Sequence, residues 1–206
     1  MVRIAVVDYE SGNVRSVLKA VEKVGGVGFL THNSDEILLS DGVILPGVGA
    51  FGDCKNKLEK YELVETIKSV VDSGKPFLGI CVGMQLLFEK SYEFGEHEGF
   101  GFVKGEVRRF EAYNGFKVPH MGWNRVCLSD NRLFYGIENN SYFYFVHSYY
   151  AKAEDDSEIA TCRYSIEFTA AVNKGKMWGV QFHPEKSQQV GLKLLKNFCD
   201  ICEGKL

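Results

Sequence analysis

The chain has 206 residues, of which 45% are hydrophobic and 25% are charged, which is typical of one well-cored globular domain and short for two. The formal net charge is −3, from 24 basic and 27 acidic residues, and no basic run occurs, which argues against nucleic acid or an anionic membrane as the main partner. No apolar stretch approaches the roughly 18–20 residues of a membrane span, so we expect no membrane-spanning segment.

Apolar strands alternate with amphipathic helices in the first part of the chain. The predicted strands are 4–7, 27–30, 42–45, which stops at Pro46, and a fourth that ends at Cys81. The predicted helices are 14–24, one long helix over 54–71, and a helix directly after Cys81, where Met84, Leu87 and Phe88 have helical spacing. Because the strands are apolar throughout, the pattern indicates an α/β fold whose parallel sheet carries helices on both faces.

The second part of the chain has a different character. Residues 100–182 are rich in aromatic and β-branched side chains, and turn signals occur at Asn114-Gly115, Asn139-Asn140 and Lys174-Gly175. Segments 142–146 and 177–182 are the clearest strands there, and 192–201 is the final helix. Because no linker-like segment separates the two parts, we expect antiparallel hairpins that extend the same sheet, within a single domain over 1–206.

The cysteines and the N-terminus bear on the cellular compartment. Residues 1–8 lead straight into a strand without a signal-peptide layout, so we expect reduced thiols and a cytoplasmic protein. The six cysteines are Cys54, Cys81, Cys127, Cys162, Cys199 and Cys202. The Cys199–Cys202 pair lies late in a helical pattern with no second ligand pair nearby, so core or surface packing is favoured over zinc binding or redox chemistry.

Cys81 is the candidate nucleophile. It stands between Gly79 and Gly83, where a strand turns into a helix, which is the layout of a nucleophile elbow. The two glycines permit a sharp bend, and the helix N-terminus favours a thiolate. A small buried hydrophobic role is the alternative for any cysteine.

A thiol nucleophile needs a base, and the sequence offers five histidines. They are His32, His97, His120, His147 and His183. We favour His183, which ends a predicted strand and is followed by Pro184-Glu185. On an extended segment residues i and i+2 project to the same side, so Glu185 could orient one imidazole nitrogen and leave the other for the thiol. A plain surface turn is the alternative for this segment.

The loop after the third strand, 46–51, contains two glycines that let peptide N–H groups turn toward a ligand crevice. Together with the amide of Val82, those of Val48 and Gly49 could form an oxyanion hole, in which one donor is worth about 3–4 kcal/mol. A phosphate-binding loop is the weaker alternative, because no Lys-Ser/Thr pair follows the glycines.

Three ordered motifs carry a resemblance to a known family. Segments 46–49, 79–85 and 179–185 resemble those of the class I glutamine amidotransferases, which hydrolyse glutamine through a Cys-His-Glu triad and pass ammonia to a synthase. Segments 118–124, 142–149, 168–172 and 183–187 are similar to one branch, the glutaminase subunits of imidazole glycerol phosphate synthases. The resemblance implies a flavodoxin-like sheet, mostly parallel with an antiparallel extension, and a function in histidine biosynthesis.

The resemblance also implies roles for individual residues. Cys81 would be the nucleophile, His183 the base and Glu185 its orienter, and the Gly47–Val48 peptide would flip to serve the oxyanion. The glutamine substrate would be held by Gly47, Gln85, Glu93, Ser148 and Tyr149. The partner would be a cyclase subunit with a (βα)₈ barrel, facing Asn13, Trp123, Tyr144 and Lys186. We expect a heterodimer and neither a cofactor nor a metal.

Three other interpretations stay open from the sequence. A paralogous glutaminase could supply ammonia to a cyclase-like partner in surface-sugar biosynthesis. A non-catalytic binding module could use the same fold, although the intact Cys81, His183 and Glu185 argue against it. A cysteine peptidase or chaperone on a related sheet has less support, because Gln85 and the loop 46–51 suit a small amide.

Overall fold

The apolar runs near the N-terminus form parallel strands in a computed structural model of the chain, which describes residues 1–112 and 115–206. The strands are β1 (Arg3–Val7), β2 (Val27–Thr31), β3 (Gly42–Gly47), β4 (Phe77–Cys81), β5 (Phe88–Ser91), β6 (His97–Glu98), β7 (Val103–Arg109), β8 (His120–Leu128), β9 (Tyr142–His147), β10 (Tyr149–Ala153), β11 (Glu158–Arg163), β12 (Glu167–Lys174) and β13 (Met177–Val180). The helices are α1 (Val14–Lys23), α2 (Ser34–Leu39), α3 (Phe51–Lys60), α4 (Val64–Asp72), α5 (Val82–Gln85) and α6 (Gln188–Cys202).

The strands form one sheet in which a parallel part meets an antiparallel part. The order is β2-β1-β3-β4-β13-β12-β10-β7-β5-β6, with β11 beside β12 and β8, and β9 beside β8. The parallel part consists of β2, β1, β3, β4 and β13, which are parallel to one another. The antiparallel pairing begins between β13 and β12. This confirms the predicted fold class, including the antiparallel extension of the same sheet.

Helices cover both faces of the parallel part, as the two ends of β3 demonstrate. A β-carbon on Gly42 would meet Cys202 of α6, whereas one on Gly47 would meet Val82 and Gly83 of α5. Side chains five positions apart on a strand project from opposite faces, so α6 and α5 lie on opposite sides of the sheet. Within the described residues, no helix combines the length and apolarity that would let it cross a bilayer.

Several predicted elements differ from the observed ones. The long helix predicted over 54–71 is two helices, α3 and α4, because Glu62 between them has a φ of 56°, which no helix accommodates. The helix after Cys81 covers only Val82–Gln85, and Phe88 begins a strand instead. Strand β3 continues through Pro46, because its pairing with β1 ends at Ile44 and only β4 flanks it beyond that point.

In the second part of the chain, β9 is one residue longer than predicted, and β13 ends at Val180, before the predicted end at 182. The turn predicted at Asn114-Gly115 includes Asn114, which lies outside the described residues. The core between sheet and helices is filled by large apolar side chains with less than 2% of their area exposed, among them Phe51, Phe77 and Trp178.

Candidate active site

Cys81 lies at a sharp bend between β4 and α5. Its backbone has φ 56° and ψ −111°, a conformation that L-residues rarely adopt, and its side chain is only 4% exposed. A β-carbon on Gly79 would approach the Gly83 carbonyl oxygen to 2.5 Å, and one on Gly83 would approach the Leu45 carbonyl oxygen to 1.9 Å. Both flanking glycines are therefore required by close backbone packing, which holds the bend in place.

The sheet brings His183 next to this bend. Strands β4 and β13 are parallel, with Val180 opposite Ile80, so the chain leaves both strands at the same edge of the sheet. His183 Nδ1 lies 2.7 Å from Glu185 Oε1, and the side chains of both residues are at most 2% exposed. The prediction placed both residues on an extended segment, but residues 184–186 form a 3₁₀ turn, and this turn folds the carboxylate back onto the ring.

The second imidazole nitrogen of His183 is left for the thiol. Among the described residues, His183 Nε2 is buried without a hydrogen-bond partner, and both His183 and Cys81 line the same cavity. Burial alone lowers the pKa of His183, but the interactions of the ring with Cys81 and Glu185 outweigh it and raise the pKa to about 10. The arrangement therefore favours the protonated, imidazolium form of His183.

Asn13 supports the same carboxylate oxygen of Glu185 that contacts His183. It precedes α1 with a φ of 73° and donates a hydrogen bond from Nδ2 to Glu185 Oε1, 2.5 Å away. The left-handed backbone suits an asparagine better than most residues. Sequence reasoning assigned Asn13 only to a partner surface, whereas the structure places it in the wall of the cavity, against the base's orienter.

The cavity between these groups has a volume of about 150 Å³. It gathers most of the predicted site residues: Asn13, Val48, Gly49, Cys81, Val82, Gln85, Glu93, Ser148, Tyr149, His183 and Lys186. The remaining predicted residues, Gly47, Trp123, Tyr144 and Glu185, do not line it. A cavity of this size suits one small molecule rather than a polypeptide.

The loop after β3 is held on both sides of the Gly47–Val48 peptide. The Tyr9 hydroxyl donates to the Pro46 carbonyl at 2.6 Å, and the Cys54 thiol donates to the Val48 carbonyl at 3.8 Å. These two contacts restrain the preceding and the following peptide groups. The Gly47–Val48 peptide lies between these two restrained peptide groups, and Val48 lines the cavity.

Two polar side chains, those of Gln85 and Glu93, line the cavity together with Tyr149. Gln85 is buried and donates from Nε2 to the Tyr149 carbonyl at 3.0 Å and to Gln181 Oε1 at 2.9 Å. Glu93 accepts from the Phe51 backbone N–H at 2.7 Å, and burial raises the pKa of its carboxyl group. Because both N–H groups of Gln85 are used, only its oxygen remains to face a ligand.

Sequence reasoning missed the side chains that connect these residues. Gln181 places Nε2 3.6 Å from the Cys81 sulfur, and His147 contacts both His120 and the Tyr149 carbonyl. Gln181 is part of the 179–185 motif and the two histidines were candidate bases, so each was visible in the sequence without its role. Their contacts bridge strands that are distant in sequence, which periodicity cannot reveal.

An aromatic cluster of the exposed Trp123 and the half-buried Tyr144 adjoins the cavity. Trp123 on β8 lies opposite Tyr144 on β9, with ring centroids 6.1 Å apart, and Lys186 Nζ lies 5.9 Å from the Tyr144 ring centroid. Trp123 and Met121 are 44% and 62% exposed. Because Lys186 also lines the cavity, the cluster lies at its border.

Within residues 1–112 and 115–206, no group of three or more His, Cys, Asp or Glu side chains is arranged to hold a metal ion. All six cysteines are free thiols, and among them Cys127 is exposed. The residues around the cavity instead supply a sulfur, an imidazole, carboxylates and backbone N–H groups, which together suit acyl transfer.

Comparison with known proteins connects this geometry with a family. Residues 5–202 match the family model of glutamine amidotransferase class-I. The chain is 50% identical over 196 residues to imidazole glycerol phosphate synthase subunit HisH of Rhodopirellula baltica, covering 95% of this chain and 96% of the relative. It is 48% identical over 199 residues to the subunit HisH of Methanocaldococcus jannaschii, covering 96% and 99%.

Solved structures support the fold. The structure of PurLQS from Thermotoga maritima matches with a TM-score of 0.76 at 20% identity, covering 98% of this chain and 99% of that one. A crystal structure of a glutamine amidotransferase matches with a TM-score of 0.72 at 17% identity, covering 97% and 98%.

Proposed function

The chain belongs to the class I glutamine amidotransferase family, and from that premise we propose that it is the glutaminase subunit of imidazole glycerol phosphate synthase. In this function it hydrolyses glutamine to glutamate and ammonia and delivers the ammonia to a cyclase subunit that makes imidazole glycerol phosphate and AICAR in histidine biosynthesis. One observation carries the chemistry: Cys81 and His183 line one small cavity, and Glu185 lies 2.7 Å behind the histidine.

The cavity offers complementary groups for each part of a glutamine zwitterion. The Gln85 oxygen and the Glu93 carboxylate accept hydrogen bonds from the α-ammonium group. The segment Ser148–Tyr149 faces the α-carboxylate, and Gly47 leaves room for the substrate chain. The side-chain amide then reaches Cys81, because these polar groups and the sulfur line the same cavity.

The first half of the reaction forms a thioester. The thiolate of Cys81 attacks the amide carbon, and the backbone N–H groups of Val48, Gly49 and Val82 stabilise the developing oxyanion. The flip of the Gly47–Val48 peptide brings the Val48 N–H into that position. Imidazolium His183 gives its proton to the leaving nitrogen, so ammonia departs and a γ-glutamyl thioester remains on Cys81.

The second half releases glutamate. Neutral His183 takes a proton from water, and the resulting hydroxide attacks the thioester carbonyl. Collapse of the tetrahedral intermediate breaks the C–S bond and returns the thiolate–imidazolium pair. Glu185, itself held by Asn13, keeps the ring oriented and its Nδ1 proton in place through both halves.

The border of the cavity faces the partner. Asn13, Trp123, Tyr144 and Lys186 meet a cyclase subunit built as a (βα)₈ barrel, so that ammonia passes into it without entering bulk water. Exposed aromatic side chains next to a catalytic cavity support an interface, because aromatic residues are enriched in interface cores. We propose a cytoplasmic heterodimer that binds neither nucleic acid nor membrane.

Two experiments test this function. The complex of the chain with its cyclase subunit is expected to hydrolyse glutamine, and Cys81→Ala is expected to abolish both hydrolysis and stoichiometric labelling by a glutamine-mimicking electrophile. A non-catalytic module would show no labelling. Complementation of a histidine auxotroph that lacks its own glutaminase subunit is expected, and failure to complement by an active enzyme would favour the surface-sugar pathway instead.

A further inference from the structure

Gln181 occupies a buried position between the side chains of Cys81 and Gln85. Its side chain is fully buried, its Nε2 lies 3.6 Å from the Cys81 sulfur, and its Oε1 accepts from Gln85 at 2.9 Å. A side-chain amide has a donor end and an acceptor end. The effect of Gln181 on the sulfur therefore depends on which end faces it.

The neighbouring groups determine this orientation. The Tyr149 carbonyl can only accept, so Gln85 must direct its NH₂ group there, at 3.0 Å. The same Gln85 nitrogen has one proton left, which it donates to an oxygen of Gln181. Rotation of the Gln181 amide by 180° would place two NH₂ groups against each other. Gln181 consequently presents N–H, and not oxygen, to the Cys81 sulfur.

A buried pair of histidines holds the Tyr149 carbonyl from the other side. His147 Nδ1 donates to it at 2.8 Å, and His147 Nε2 accepts from His120 Nδ1 at 2.9 Å. His120 Nε2 accepts from Asn124 Nδ2 at 3.2 Å, and the other proton of this Asn124 nitrogen is donated to the Arg163 carbonyl. Burial lowers the pKa of His120 to about 4 and that of His147 to about 3, so both are neutral at neutral pH.

These contacts form one continuous chain of hydrogen bonds in which each shared proton has a single donor and a single acceptor. It runs from Asn124 on β8, through the histidine pair and the Tyr149 carbonyl, to the two glutamines and the sulfur. Within the chain, protonation of either histidine would require a ring nitrogen that now accepts to become a donor. The orientation of the Gln181 amide is thus built into the core of the protein.

We propose that Gln181 is a positioning residue for the nucleophile, whose amide N–H holds the Cys81 sulfur as a thiolate facing His183, aligned by the chain from His120 to Gln85. This inference deepens the proposed function and rests on it. The titratable groups whose charges interact with that of the sulfur are His183, Tyr9 and Cys54. The Tyr9 hydroxyl and the Cys54 thiol donate elsewhere, to the Pro46 and Val48 carbonyls, whereas the Gln181 amide donates to the sulfur. A hydrogen bond to an ionised group is stronger than one to a neutral group.

The first test replaces the amide by an apolar side chain of similar length. In Gln181→Met the rate at which iodoacetamide alkylates Cys81 at neutral pH is expected to fall about tenfold or more, because the thiolate loses a charge-assisted donor. Peptide mass spectrometry follows each thiol separately, and the exposed Cys127 is the internal reference whose rate should not change. In the complex with the cyclase subunit, kcat is expected to fall on the order of 10- to 100-fold, with KM within about threefold.

The second test uses the isosteric variant Gln181→Glu, which keeps an oxygen to accept the hydrogen bond from Gln85. This variant carries the test by itself if Gln181→Met fails to fold. Its carboxyl group can donate to the sulfur only when protonated, so the absolute alkylation rate of Cys81, and not its ratio to the rate of Cys127, should fall as the pH rises and this group ionises. The wild type should show no such fall.

Wild-type alkylation profiles of Cys81 in both variants would overturn the proposal, as would a rise in KM with unchanged kcat. Alkylation does not require glutamine hydrolysis. If the proposed function failed, the wild-type complex would release no ammonia, whereas the effect of Gln181 on Cys81 alkylation would still be measurable.

Discussion

The backbone at Cys81 is strained, and the strain should be measurable as stability. With φ 56° and ψ −111°, Cys81 has a conformation that costs an L-residue about 1–3 kcal/mol, whereas glycine adopts it freely. We compare Cys81→Ala with Cys81→Gly. Both variants lack the sulfur and leave His183 without its partner, so these losses cancel, and only alanine keeps the β-carbon that makes the bend costly.

The magnitude follows from two opposing terms. Relief of strain favours glycine by about 1–3 kcal/mol. The greater freedom of glycine in the unfolded chain disfavours it by roughly 0.5–1 kcal/mol. The net expectation is that Cys81→Gly unfolds with a free energy about 1 kcal/mol higher than Cys81→Ala, which for a chain of this length raises the melting temperature by roughly 2–4 °C.

Urea unfolding followed by circular dichroism, together with calorimetry, measures the difference. The matched control is Ala20→Gly, in the middle of α1, where the same replacement should cost about 1 kcal/mol because the backbone there is an ordinary helix. If Cys81→Gly is no more stable than Cys81→Ala while Ala20→Gly behaves as expected, the bend at Cys81 stores no strain and the reasoning is refuted.

Three further predictions concern the same region. First, the free energy of unfolding should fall as the pH drops from about 6.5 toward 4, because the unfolded chain takes up protons on His120 and His147 while burial holds their folded pKa values at about 4 and about 3. The slope is at most about 1.4 kcal/mol per pH unit for each histidine. The variant His120→Gln should reduce this slope, and a urea midpoint that does not change across the range would contradict the prediction. Second, Glu185→Gln should lower kcat on the order of 100-fold and move the alkaline limb of the pH–rate profile to lower pH, since the carboxylate helps to raise the pKa of His183. If the alkaline limb does not move, Glu185 does not influence the protonation of the His183 ring. Third, Gly83→Ala should give little folded protein, because its β-carbon would lie 1.9 Å from the Leu45 carbonyl oxygen. The control Gly175→Ala, at an open turn with a φ of 58°, should fold with a loss of stability of about 1 kcal/mol. Equal yields of folded protein from the two variants would show that a β-carbon fits at position 83.

The architecture was largely predictable because its signals are local. Continuous apolar strands separated by amphipathic helices indicated the parallel part, and the absence of a linker indicated one shared sheet. The misses also have local causes. One apolar periodicity continues through α3 and α4, and the interruption between them depends on the backbone of Glu62, which composition does not reveal. Likewise, Phe88 has helical spacing with Met84 but pairs with Val103 of β7.

The candidate site was predictable to the extent that its motifs were contiguous. Cys81, with its glycines, and His183, with Glu185, stood out as short patterns, and the structure brings both into one cavity, although their catalytic roles remain predictions. What the sequence did not reveal is the support behind them. The bond from Gln181 to Cys81 spans 100 residues and that between His120 and His147 spans 27, and both pairings depend on strand register.

The position of the site within the sheet bears on whether the chain can be divided. Cys81 follows β4, in the parallel part, whereas His183 follows β13, the strand at which parallel pairing changes to antiparallel. Gln181 directly follows β13, and its backbone N–H donates to Ala170 of the antiparallel neighbour β12 at 2.8 Å. Neither part alone contains a nucleophile, a base and their support. We therefore infer that residues 1–206 act as a single domain, because the chemistry requires the junction of the two parts to be intact.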